Sequence, residues 1–136
     1  MAPRFAVRRL ADVPRVPTAA DEPDWYPLQH HFGLTAFGAN IYVAHTAGGE
    51  LIAGHDEAGS NQEELYLVTS GEASFVVDGE HFDAPAVTVV AIPERTVRRA
   101  ATAKVAGTVV IAIGGERRSE FRTSWQWHHF ENVPKL

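Results

Sequence analysis

A chain of 136 residues has the length of one domain, enough to bury a core without covalent staples. It contains no cysteine, which excludes disulfides and thiolate metal ligands. Its net charge is −5 and its basic residues are scattered in pairs (Arg8-Arg9, Arg98-Arg99, Arg117-Arg118), so no nucleic-acid or anionic-membrane surface is expected, since phosphate binding needs concentrated Lys and Arg.

In chain order, residues 1–35 are expected to give an N-terminal strand, Phe5 to Leu10, followed by a loop. The segment from Met1 to Pro14 has no apolar run of signal-peptide length, and no stretch approaches the ~20 apolar residues of a membrane span, so a soluble cytoplasmic protein is expected. Pro14, Pro17 and Pro23 keep the connection that follows out of a sheet interior. Phe37 to Thr46 alternates as a strand with one polar-bearing face does, and Leu51 to His55 follows the Gly48-Gly49 break. Residues 63–79, EELYLVTSGEASFVVDG, predict a hairpin. Leu65 to Val68 form one arm, Ser70-Gly71-Glu72 the turn and Phe75 to Val77 the second arm, and Asp78-Gly79 then suits a two-residue reversal. Glu80 to Asp83, Thr88 to Ile92, Val97 to Ala101 and Thr108 to Ile113 complete the series, which Gly114-Gly115 ends. Seven or eight short strands with no long amphipathic helix between them imply an antiparallel barrel or sandwich. The tail that follows carries Trp125, Trp127, His128, His129 and Phe130, too aromatic for a disordered terminus, and is expected to pack on the barrel or on a second subunit.

Glu64 shares strand parity with Tyr66 and Val68, so it faces whichever side those two bury, where a carboxylate needs a metal, an arginine or a substrate as partner. Tyr42, Asn40, Tyr66 and Phe75 are the polar and aromatic mixture that lines a small-molecule cavity. His55, at the end of the strand leading into the hairpin, is the foremost candidate among the histidines. The two His-His-Phe triplets (His30-His31-Phe32 and His128-His129-Phe130) are not chelates in strand geometry, because adjacent side chains point to opposite faces.

The spacing of Glu64, six residues and Gly71 resembles the first motif of the cupins. The second cupin motif, proline, one residue, glycine, two residues and histidine, is echoed by Pro93 to Arg98, with Arg95 at the glycine position and Arg98 at the histidine position. The family's paired upstream histidines would fall at Glu57 and Gly59. His55, two residues further back, joins the site only if the loop Asp56 to Gln62 bulges. The resemblance covers residues 36–114 and implies an all-β antiparallel barrel, a jelly-roll-like double-stranded β-helix within a single domain 1–136, with a tail over 115–136 and a homodimer as the assembly.

From the resemblance, Arg98 would point inward and meet Glu64 as an ion pair in the place of a metal. No cofactor is therefore favoured. If a metal is present, His55 and Glu64 would hold iron, nickel, manganese or zinc together with further ligands. The expected function is a barrel that holds a small polar or anionic ligand near Glu64 and Arg98. The alternative is a cupin enzyme, either a metal-dependent dioxygenase or isomerase using His55 and Glu64, or a metal-free acid–base catalyst in which Glu64 takes a proton.

Overall fold

The structure of the chain, a computed structural model, describes residues 3–118, 121 and 127–136. The elements are β1 (Asp24–Pro27), the short helix α1 (Leu28–Phe32), β2 (Gly38–Val43), β3 (Glu50–His55), β4 (Gln62–Ser70), β5 (Glu72–Val77), β6 (Glu80–Pro85), β7 (Thr88–Ile92), β8 (Arg99–Ala103) and β9 (Val109–Glu116). All pairings are antiparallel, in a five-stranded sheet ordered β1-β2-β9-β4-β7 and a four-stranded sheet ordered β3-β8-β5-β6.

Turn chemistry sets the register. Asp78 and Gly79 both have positive φ, 52° and 78°, the conformation a tight hairpin turn between β5 and β6 requires. Gly71, at φ 76°, joins β4 to β5 where a Cβ would come within 2.8 Å of the Thr108 Cα, so backbone conformation and space both demand glycine. With that register Glu64, Tyr66 and Val68 face the interior, opposite Ile92 and Val90 of β7 and beside Gly114, Ala112 and Val110 of β9. The core between the sheets gathers Val68, Val110, Phe75, Leu51 and Ala73, all fully buried, each large apolar member contributing roughly 1.5–3 kcal/mol by burial. The outer face of the five-stranded sheet is also apolar: Ile41, Ile111, Leu67 and Val89 stand in register across four strands.

Three expectations shift. Phe5 to Leu10 form no strand; Phe5 and Val7 are exposed, Leu10–Asp12 make one 3-10 turn, and the sheet edge is taken by Asp24–Pro27. The barrel does not stop at Gly114-Gly115, since β9 continues to Glu116 opposite Gln62. The last inner strand before it begins at Arg99 rather than Val97. In the tail, Trp125 lies outside the described residues, Trp127–His129 form a 3-10 turn, and Phe121 and Phe130 are exposed. Among the described residues no helix is long and apolar enough to cross a membrane.

Candidate metal centre and ligand cavity

His55, Glu57 and Glu64 converge because the chain folds back on itself between β3 and β4. Register shifts between Glu50 and Ile52, and again between Ile52 and His55, kink β3 against β8, and such bulges re-aim side chains. The loop that follows is clamped by Asn61, in the left-handed conformation at φ 55°. The Asn61 amide donates to the Glu57 carbonyl (2.8 Å), its side chain donates to the Arg117 carbonyl (3.1 Å), and its side-chain oxygen accepts from Arg95 (3.1 Å). The path of this loop brings His55 and Glu57 within reach of Glu64. Gly114 completes the setting: a Cβ there would lie 2.9 Å from the Glu64 Cγ.

One nitrogen, Nε2, and two carboxylates face one another. The donor atoms of His55, Glu57 and Glu64 all lie within 4.8 Å of each other. His55 Nε2 is 3.0 Å from Glu57 Oε1 and 3.6 Å from Glu64 Oε1. The other ring nitrogen, Nδ1, sits 2.6 Å from the Ala53 carbonyl, which can only accept, so Nδ1 carries the proton. Nε2 therefore presents either a second proton or a lone pair to the two carboxyls, and a lone pair there is matched by a cation or by a carboxyl proton. Separations of 3.0 and 3.6 Å suit neighbouring ligands on one ion, given metal–ligand bonds of ~2.0–2.2 Å. The Nδ1–carbonyl bond is also the outer-sphere contact that orients a metal-binding imidazole.

The two carboxyls differ in acidity. Burial, then the Glu57 carboxylate beside it, hold the Glu64 carboxyl above its ordinary value, although the Tyr66 hydroxyl and the charge of Arg99 act the other way. Burial also opposes ionisation of Glu57, but hydrogen bonds from Ser60 and Glu64 and the proximity of His55 outweigh it and hold that carboxyl low. Glu64 also accepts from Tyr66 Oη at 3.0 Å.

The cluster opens on a cavity of about 310 Å³ whose walls include Trp25, Asn40, Tyr42, Gln62 and Tyr66. Trp25 Nε1 donates to Asn40 Oδ1 (2.7 Å), which turns the Asn40 amide nitrogen to other uses. Burial, and after it the negative charges of Glu64 and Glu57, push the Tyr42 phenol up to about 12. Thr18, Glu22 and Pro23 close one side, so the N-terminal segment forms part of the wall.

Of the residues singled out from the sequence, His55, Glu64, Tyr66, Tyr42 and Asn40 meet at this cavity. Phe75 does not line it; fully buried, it packs beneath, 6.0 Å from the Tyr66 ring and 5.7 Å from that of Phe82. Arg98 is not inward. It is exposed and donates to the Gly54 carbonyl at 3.1 Å, so the expected Arg98–Glu64 pair does not form. The turn at 94–97, closed by the Val97 amide on the Glu94 carbonyl, keeps Arg98 outside the strand, which starts at Arg99, and Arg99 points inward instead with 0% exposure. Sequence reasoning missed Glu57 and Arg99. Glu57 was visible as His-x-Glu, a carboxylate where the motif has a histidine; Arg99 carried no signal that separated it from Arg98.

No protein-family model and no curated protein matches the sequence. Solved structures do. A sugar phosphate isomerase from a cupin superfamily, from Silicibacter pomeroyi, superposes with a TM-score of 0.67 at 16% identity, covering 82% of this chain and 76% of that one. A cupin protein from Bacteroides fragilis gives 0.63 at 20% identity over 92% and 98% of the two chains. A proposed sugar phosphate isomerase from Acidithiobacillus ferrooxidans gives 0.57 at 18% identity, covering 68% of this chain, which spans only 58% of that protein's length. At such identities the likeness speaks to architecture alone: the chain has the fold of these cupin structures, one double-stranded β-helix barrel, here with a polar cluster facing its cavity.

Proposed function

We propose that the barrel binds a divalent transition metal through His55, Glu57 and Glu64 and presents it to a small polar ligand in the adjoining cavity. The observation that carries this is the Nε2 atom of His55 aimed at two carboxylates while Nδ1 is committed to a backbone carbonyl. One imidazole and two carboxylates suit iron, manganese, nickel or zinc, and leave coordination positions for solvent or ligand. A bound ion would act as a Lewis acid on a ligand oxygen. The chain itself supplies the rest: Tyr66 steadies Glu64, and Asn40 and Tyr42 offer hydrogen bonds to the ligand. The neighbours described as sugar phosphate isomerases support a small oxygen-rich ligand. A doubly charged phosphate fits poorly, because no Lys or Arg is among the described residues lining the cavity.

Calorimetry on tag-free, chelator-treated protein tests this. Micromolar or tighter binding of one equivalent of Mn(II), Fe(II), Co(II), Ni(II) or Zn(II), weakened at least about tenfold by His55→Ala and by Glu57→Gln, is expected. Absence of binding in the wild type would overturn the metal and leave the second reading, which the raised Glu64 carboxyl beside a lowered Glu57 favours: metal-free acid–base chemistry at Glu64.

A further inference from the structure

Arg99 is the one fully buried charged side chain among the described residues, and the site as described does not use it. Its Nε, Nη1 and Nη2 atoms are all buried and none has a hydrogen-bond partner. It stands directly across from His55 in the β3–β8 register, and its charge is felt by Glu64 and Tyr66, both of which line the cavity. A guanidinium taken from water without partners is costly to the fold, so its charge must be matched by something else.

The proposed metal changes the balance. A divalent ion cancels the Glu57 and Glu64 carboxylates, and His55 coordinates as a neutral imidazole. The charge of Arg99 is then left over, inside a barrel where it is poorly screened. Glu22 and Glu50 also border the cavity but are exposed at its rim, where solvent screens them.

We propose that Arg99 makes this cavity selective for a small singly charged carboxylate, bound on the open face of the metal and neutralising the excess positive charge. Arg99 acts from behind the cluster, through the potential it sets up, and is a specificity-determining residue rather than a ligand contact. The side-chain amide of Asn40 and the hydroxyl of Tyr42 donate to no described residue and are available to the carboxylate's remaining polar atoms. This inference rests on the metal reading above.

The test uses the full chain loaded with Co(II), whose visible absorption reports on ligands joining the ion, titrated with glycolate and with its uncharged analogue glycolamide. Wild type is expected to favour glycolate by at least about tenfold, a 1.4 kcal/mol difference. Arg99→Met should lose that preference while binding cobalt as tightly or more tightly, because a like charge has gone, and Arg99→Lys should retain most of it. Equal binding of the two probes by wild type, or an undiminished preference in Arg99→Met, overturns the role of Arg99 and leaves the metal site standing. Failure of wild type to bind cobalt overturns both. If Arg99→Met does not fold, Arg99→Gln takes its place, with the same loss of preference expected and an undiminished preference overturning the role of Arg99.

Discussion

Replacing Arg99 by methionine should make the metal-free protein more stable. The guanidinium is 0% exposed and none of its three nitrogens is hydrogen-bonded, so the fold carries the desolvation of a whole ion, several kcal/mol even after relaxation. The offsetting attraction comes from the Glu64 carboxyl, on which the charge of Arg99 acts. No carboxylate oxygen among the described residues lies within 4.0 Å of Arg99, so at an effective dielectric constant near 20 this attraction stays below ~4 kcal/mol. Methionine replaces the aliphatic stem with an unbranched chain that adapts to irregular space. The expected gain is ~1–4 kcal/mol, in line with other buried ions exchanged for apolar groups. For a domain of this size that is a rise in Tm of ~3–5 °C per kcal/mol. Differential scanning calorimetry in the presence of a chelator measures it. A lower Tm for Arg99→Met would refute the reasoning, because it would mean that the guanidinium is well partnered in the metal-free protein.

Gly71→Ala should destabilise by several kcal/mol in urea unfolding, since it combines a left-handed φ of 76° with a Cβ 2.8 Å from the Thr108 Cα. Val87 holds the same kind of conformation, φ 68°, while 81% exposed, so Val87→Asn should raise stability by about 1 kcal/mol in the same assay. Gly114→Ala should leave the fold intact but weaken metal binding at least about tenfold by calorimetry, because the new methyl displaces Glu64 from a distance of 2.9 Å. Alkaline pH should unfold the protein. Tyr42 is pushed up to about 12 by burial and then by the Glu64 and Glu57 charges, and Tyr66 is raised by burial and then by Glu64. A raised phenol contributes stability that is complete below pH ~10, the unfolded value, and is lost as pH climbs through the folded one. Circular dichroism should therefore show loss of structure together with tyrosinate absorbance above pH ~10, and an intact fold with both phenols ionised at pH ~11 would contradict the burial.

The parts of this architecture that could be read from sequence are those fixed by local chemistry. Asp78-Gly79 and Gly71 set the hairpin, and once it is set the two-residue period carries Glu64 inward with Tyr66 and Val68. Arg98 and Arg99 show where the same logic runs out. Neighbouring strand residues face opposite ways, so a one-residue change in the preceding turn exchanges their roles, and two adjacent arginines give no hydrophobic cue to the register. Hydrophobicity is equally silent over Leu65 to Val68 and Val109 to Ile113, because the five-stranded sheet is apolar on both faces. Glu57 was hidden for another reason: its place in the cluster depends on the Asn61 clamp, a tertiary feature assembled from Arg95 and Arg117 at distant points in the chain.

The cavity is assembled from two sources of different kind. The candidate ion-binding groups hang from β3, the loop behind it and β4, while the wall at Thr18, Glu22 and Pro23 belongs to a segment held by the isolated Val16–Trp25 bridge and by Arg15 on Asp24. The candidate metal ligands and this part of the cavity wall therefore lie on separate stretches of polypeptide. Substitutions at residues 18–23 can change the size and shape of what is admitted without disturbing either the hairpin or the carboxyl pair. That makes the segment the natural place to redirect this barrel toward new small molecules, by evolution or by design.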